Sequence, residues 1–294
     1  MKKLMLLFAI LISLSFSAQQ DYQWFKINKY RTTVLSDSIN ENSGLDLFNG
    51  RLFTINDSGN SSEIFEINKE TGKIKNAFKT NLINKDWEAI ASYPTNLYVG
   101  DFGNNGGTRK DLVIYKIPFD STLITLNPDN IQPIPFYYPE QKDFTPKNLN
   151  NNFDTEAMIF LNDKIHIFTK EWASKSTTHY TIDPTVVENQ AAKKIETFST
   201  GYVVTDAAYF DKKLYLVGYT KKTEVFLTIF NESEAGIFFI DKPKKYYLGS
   251  SLSIGQIEGI AVDEKGIYIS GEEFNLPIIK VKPNLYFIPA DKLK

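Results

Sequence analysis

Apolar residues along this chain come in short runs. Examples are "RLFTIN" (51–56), "KIHIFT" (164–169), "KLYLVGY" (213–219) and "GIYISG" (266–271). Within them apolar and polar positions alternate, or the run is wholly apolar, and Gly, Asn, Asp and Pro break each one. Helical periodicity is nearly absent beyond the N-terminal segment. Such runs fit a pleated surface and predict an all-β protein.

The runs also repeat. A first strand opens on an acidic or polar residue, then a small one, then apolar ones. Its copies begin at Ser43, Glu88, Glu156, Asp206 and Glu258, a spacing of 45, 68, 50 and 52 residues. A tight turn follows each copy: Asn49-Gly50, Pro94-Thr95-Asn96, Asn162-Asp163, Asp211-Lys212 and Lys265-Gly266. Asn-Gly and its relatives are hairpin chemistry. A second strand comes next, then a third: "EIFEIN", "LVIYKIP", "THYTID", "EVFLTIF", and in the last copy either "PIIKVK" or "LYFIP". A more variable fourth strand ("IKNAFKTN", "IQPIPFYY", "IETFST", "KKYYLGSS") leads into the next copy. Four antiparallel strands at this period make a β-propeller blade. Five blades can be counted, and a degenerate sixth is the alternative. The last copy lacks an outer strand, whereas the N-terminal "QWFKINKY" (23–30) has no unit before it. The N-terminal strand is therefore expected to complete the last blade and remove a sheet edge. The long second interval holds an extra polar loop, Gln141 to Asn152.

This architecture gives the acids a meaning. The start of a first strand and the end of the second lie at one end of a hairpin. In a propeller the first strand lines the channel. The residues expected around one mouth are Glu41, Asn56 and Asp57 from blade one, Asp86, Glu88 and Asp101 from blade two, Asp154, Glu156 and Glu171 from blade three, Asp206 from blade four, and Glu258, Glu272 and Glu273 from blade five. Any one of them suits local turn chemistry, because Asp and Asn side chains bond to nearby backbone. Their recurrence at one register points instead to a shared site. Crowded carboxylates raise one another's pKa, and a cation relieves that. Hard oxygen ligands point to calcium before zinc or copper. The candidate ligands are Asp57, Asp86, Glu88, Asp101, Asp154, Glu156, Asp206, Glu258 and Glu272. Glu88, Glu156 and Glu258 are the candidate catalytic groups.

Composition narrows the partners. The chain opens with Lys2 and Lys3, an apolar run Leu4–Leu14, and small residues up to Ala18. That is the layout of a cleaved secretory signal (1–18), followed by a single propeller over 19–294 in the periplasm or outside the cell. No later run is long and apolar enough to span a membrane. There are no cysteines, so disulfides, thiol nucleophiles and thiolate zinc sites are excluded, and the hydrophobic core must stabilise the fold. Lys and Arg total 33 against 35 Asp and Glu, with no basic block, which argues against nucleic acid. The expected form is a monomer. Both histidines, His166 and His179, fall on blade three, too few for a His-rich metal site. Gly103, Gly106 and Gly107 precede a strand, so the helix N-terminus that phosphate loops use is missing, and a flexible rim loop is expected. Arg109, Lys110 and Lys170 read as surface charge or as anion contacts near the mouth.

The segments "NDSGN" (56–60), "DWEAIA" (86–91), "GDFGNN" (100–105), "DTEAM" (154–158) and "IEGIAV" (257–262) resemble the secreted bacterial propellers grouped around phytase-like and esterase-like phytase domains. The resemblance implies calcium held by acids at blade starts and, in some members, cleavage of phosphate esters. Three functions stay open. One is a binding propeller for a small polar molecule, a glycan or an envelope protein, with calcium at its mouth. Another is a calcium-dependent hydrolase of phosphate esters, lactones or other esters. The third is a five-bladed glycosidase using two carboxylates.

Overall fold

A computed structural model of the chain describes residues 21–120, 125–126, 128–277 and 279–293. The expected signal sequence lies outside the described residues. Five antiparallel four-stranded sheets form a ring, which is a five-bladed β-propeller. Blade one is Asn42–Phe48, Arg51–Asn56, Glu63–Ile67 and Ile74–Lys79. Blade two is Trp87–Ser92, Asn96–Asp101, Val113–Asp120 and Gln132–Tyr137. Blade three is Thr155–Leu161, Lys164–Thr169, Thr177–Ile182 and Lys193–Phe198. Blade four is Val203–Phe210, Lys213–Tyr219, Glu224–Asn231 and Lys244–Ser250. Blade five is Gln256–Asp263, Gly266–Glu272 and Asn284–Pro289, completed by Arg31–Val34.

The inner hairpins turn as their residues dictate. Asn49-Gly50, Asn162-Asp163 and Asp211-Lys212 all hold positive φ at both positions, the type I′ geometry that matches strand twist. Packing lies between blades. Five buried clusters each draw mainly on two adjacent blades: Phe53 and Trp87 join blades one and two, and Val217 of blade four shares a cluster with Ile260 of blade five. Each cluster lets one sheet face bury against the next, so the ring substitutes for the single core of a sandwich.

The N-terminal segment does close the ring, but not with the run expected. Gln23–Trp24 pairs in parallel with the outer strand of blade four, at Tyr246 and Tyr247. Ile27–Tyr30 forms a 3-10 turn. The closing strand is the short polar stretch Arg31–Val34, antiparallel to Asn284–Pro289. "LYFIP" is therefore the third strand of blade five. "PIIKVK" contributes instead to a separate small hairpin, Phe274–Leu276 with Ile279–Val281. Blade two is edged in the same way as blade four, by Gln190–Ala191 in parallel with Phe136 and Tyr137. Among the described residues, no helix is long and apolar enough to cross a membrane.

Candidate metal centre at the channel mouth

All five inner strands carry a β-bulge at the same place. The pairing with the second strand skips Gly44, Glu88, Glu156, Thr205 and Glu258 in turn. A bulge leaves its extra residue unpaired and re-aims the side chain. In blades two, three and five that residue is a glutamate, and all three line one cavity of about 430 Å³ at the mouth. Asp57 and Glu272 join them from the ends of second strands.

The bulge also corrects the repeat. The equivalents of Glu88 are Gly44 in blade one and Thr205 in blade four, not Ser43 and Asp206. Asp206 stands one place further on, in register with Leu45 and Ala89. Its carboxylate accepts the backbone amides of Leu45 (3.1 Å), Ala207 (2.8 Å) and Ile260 (2.7 Å), binding blades one, four and five together. Asp101 does not join the mouth either. It is buried and paired with Arg109 at 2.8 Å. Glu171 accepts the hydroxyls of Thr169, Thr178 and Ser174. Glu273 pairs with Lys280 at 2.9 Å, and Glu41 accepts from Asn60 Nδ2 at 2.6 Å on the rim.

What does converge is a group of three. One carboxylate oxygen from each of Asp57, Asp86 and Glu88 lies within 4.8 Å of the others. Asn84 sets this up: its Nδ2 donates to the Asn56 and Asp57 carbonyls (3.0 and 2.9 Å), and its Oδ1 accepts the Trp87 amide (3.0 Å). That ties the end of one blade's second strand to the start of the next blade's first. Gly103 packs beneath; a Cβ there would collide with the Asp86 and Glu88 carboxylates. Asp154 is also buried. Its Oδ1 accepts the amides of Asn104 (2.6 Å) and Thr155 (3.1 Å), while its Oδ2 has no hydrogen-bond partner.

Electrostatics follow from the crowding. Burial, then Asp57 and Asp154, push Asp86 up to about 6. Burial and the charges of Glu156, Asp57 and Asp86 hold Glu88 well above the carboxylate range. Burial likewise raises Glu156, Glu258, Glu272, Asp57 and Asp154. Among the described residues, the one cation lining this cavity is Lys170, read from sequence as surface charge or an anion contact near the mouth; it is buried there and ion-paired with Glu156. Burial works against its charge, yet Glu156, Tyr219, Glu258 and Asp154 hold its pKa well above normal. An all-oxygen donor set, an orphaned buried Asp154 oxygen and mutual repulsion fit a hard divalent cation.

The rest of the wall is not singled out by the sequence pattern. Trp172 and Tyr219 follow or end second strands and carry no charge that would mark them beside the acids. Gln256 Nε2 bridges Glu258 (2.7 Å) and Glu272 (2.5 Å). The extra loop reaches the mouth through Asn148 and Leu149. It is tied to the glycine-asparagine loop by Lys147 N to Gly106 O (2.8 Å), Leu149 N to Asn105 O (3.1 Å) and Asn151 Nδ2 to Asn105 O (2.9 Å). Those glycines thus serve a bonded rim, in place of the flexible one expected. Arg109 is held by Asp101, and Lys110 lies over the Phe144 ring at 4.6 Å.

The chain is thus a five-bladed propeller with an acidic mouth. No protein-family model matches it, and no curated protein matches its sequence. Solved structures similar to it include Kuenenia stuttgartiensis hydrazine synthase (12% identity, TM-score 0.43, covering 87% of this chain and 65% of that one). A Bacteroides uniformis structure named as a candidate 6-phosphogluconolactonase is 13% identical (TM-score 0.38, covering 88% and 72%). A Thermus thermophilus structure named as a candidate glucose dehydrogenase is 10% identical (TM-score 0.46, covering 86% and 98%). The chain spans about two thirds of the hydrazine synthase chain.

Proposed function

We propose that this chain is an exported binding propeller whose mouth holds a divalent cation, calcium by its donor chemistry, and presents it to a polar ligand, a glycan or an envelope protein. The observation that carries this reading is the convergence of Asp57, Asp86 and Glu88 within 4.8 Å. Asp154 adds a carboxylate oxygen that lacks a donor. Glu156, Glu258 and Glu272 extend the acidic wall over the cavity. Export is part of the proposal and rests on the N-terminal segment.

A catalytic reading is favoured by one feature. Glu156 and Glu258 share the cavity with Lys170 and Tyr219, so groups able to move a proton stand beside the cation cage. A bound cation would supply Lewis acidity toward an ester or phosphoryl oxygen. Glu156 would then accept a proton from water, with Lys170 orienting its carboxylate. Nothing comparable favours a glycosidase.

Terbium luminescence tests the cation site, because Trp172 and Tyr219 in the same cavity can sensitise a bound ion. Titration should give saturable emission that calcium displaces. Asp86→Asn and Glu88→Gln should each weaken it about tenfold or more. Absence of sensitised emission, together with no change of Tm on adding calcium or EDTA, overturns the reading. A screen of phosphate esters and lactones separates enzyme from binder.

A further inference from the structure

Away from the mouth, blade three buries both histidines against each other. His166 Nδ1 and His179 Nε2 are 2.7 Å apart. At one end of the pair, His166 Nε2 meets the Leu161 carbonyl at 3.1 Å. At the other, His179 Nδ1 meets Glu196 Oε1 at 3.1 Å. Three contacts in a line need three hydrogens. A carbonyl supplies none, an ionised carboxylate supplies none, and two neutral imidazoles supply one each. If His166 donates to Leu161, its Nδ1 must accept from His179, and His179 then turns a bare lone pair on Glu196. If His179 donates to Glu196, a lone pair is left facing another elsewhere in the line. Every neutral arrangement leaves one contact without its hydrogen.

Glu196 is not free to turn away. Its Oε1 and Oε2 accept the amides of Phe238 and Phe239, each at 2.9 Å, from the segment linking the third and outer strands of blade four. Phe168 stacks on His179 with centroids 4.7 Å apart, and Phe238 closes in at 5.8 Å. The charged and titratable groups facing the pair are Glu196 from the outer strand of blade three and, from blade four, Glu232 with Tyr209. Glu232 accepts Gly236 N (2.7 Å) and the Tyr209 hydroxyl (2.6 Å).

We propose that the line Leu161–His166–His179–Glu196 holds one proton beyond those of two neutral imidazoles, and that this proton latches residues 232–241 of blade four onto blade three. With it present, all three contacts are hydrogen bonds and the His179–Glu196 couple is net neutral. Its loss sets two lone pairs against each other. The relief is withdrawal of Glu196, which carries the Phe238 and Phe239 amides with it. Burial holds His166 at about 4, so the extra proton resides at the Glu196 end. Burial leaves His179 lowered overall, although Glu196 opposes it. The latched form is the protonated one. It is closed on the acid side of its transition and opens as pH rises. Tyr209 also lines a smaller opening of about 170 Å³, bordered by the inner strands, so the latch adjoins a second route toward the channel.

Histidine-selective nitrogen NMR across pH 4 to about 9 tests this, since neutral and cationic rings have distinct shifts. One ring should carry protons on both nitrogens at the acid end and lose one as pH rises. The Phe238 and Phe239 amide signals should move with the same midpoint. In Glu196→Gln the midpoint should fall and those amides should stop responding. Two neutral rings in the wild type at the acid end, or amides that ignore the transition, overturn the proposal. The wild-type titration decides by itself if Glu196→Gln does not fold.

Discussion

The Asp206 carboxylate accepts the backbone amide of Leu45 at 3.1 Å, although the two residues are 161 positions apart. With Ala207 and Ile260 it gathers three amides from three blades at one buried point. Asp206→Ala should strand those donors and destabilise the fold by about 3 kcal/mol or more. Urea unfolding measures this. Terbium affinity should stay unchanged, because Asp206 is outside the cation cage; a loss of affinity in a folded variant would contradict the assignment.

Lys170 and Glu156 form a buried pair, so removing one partner leaves the other uncompensated. Lys170→Met should cost about 3 to 5 kcal/mol, and the double variant with Glu156→Leu should recover most of it. Denaturant melts on the four members of the cycle give the coupling directly. Additive losses would show that the pair is not coupled.

The mouth carboxylates should reverse the usual pH trend. A carboxyl raised in the folded state favours the protonated protein, so its contribution is greatest below its unfolded pKa and is lost as pH rises through the folded value. For Asp86 that window runs from the ordinary 3.8 to about 6. In EDTA, Tm should therefore fall between pH 4 and about 7. Calcium should restore it most at the upper end. A flat Tm in EDTA, or an equal calcium effect at both ends, would count against the crowding argument.

Gly103 touches the cage without contributing a ligand. Gly103→Ala pushes a methyl group into the Asp86 and Glu88 carboxylates. Terbium affinity should drop about tenfold or more, as for other residues that support metal ligands. Circular dichroism should report an intact propeller. Unchanged affinity would place the ion elsewhere.

The repeat is legible because the hairpin turns and inner strands recur in plain sight. Glu88, Glu156 and Glu258 can be picked out because each stands at a strand start. Asp206 looks equivalent in sequence because small and apolar residues follow it, but the bulge common to all five inner strands falls on Thr205, one place earlier, and bulges leave no mark in an apolar pattern. The closing strand is hidden for a different reason. "RTTV" is short, polar and at an edge, so it lacks the alternation that "QWFKINKY" shows. Lys170 looks like surface charge because a lone lysine at a strand end usually is; only the folded ring sets it between Glu156 of its own blade and Glu258 of blade five. Trp172, Tyr219 and Gln256 stand at or just past the same strand ends as the acids, but carry no charge that marks them.

Ring closure by Arg31–Val34 sets an order of events. These residues leave the ribosome well before their partner Asn284–Pro289, with four whole blades in between. Those blades can stack in sequence, but the first and last faces stay uncovered until that partner emerges. The final fastening of the ring therefore waits for the last blade to arrive.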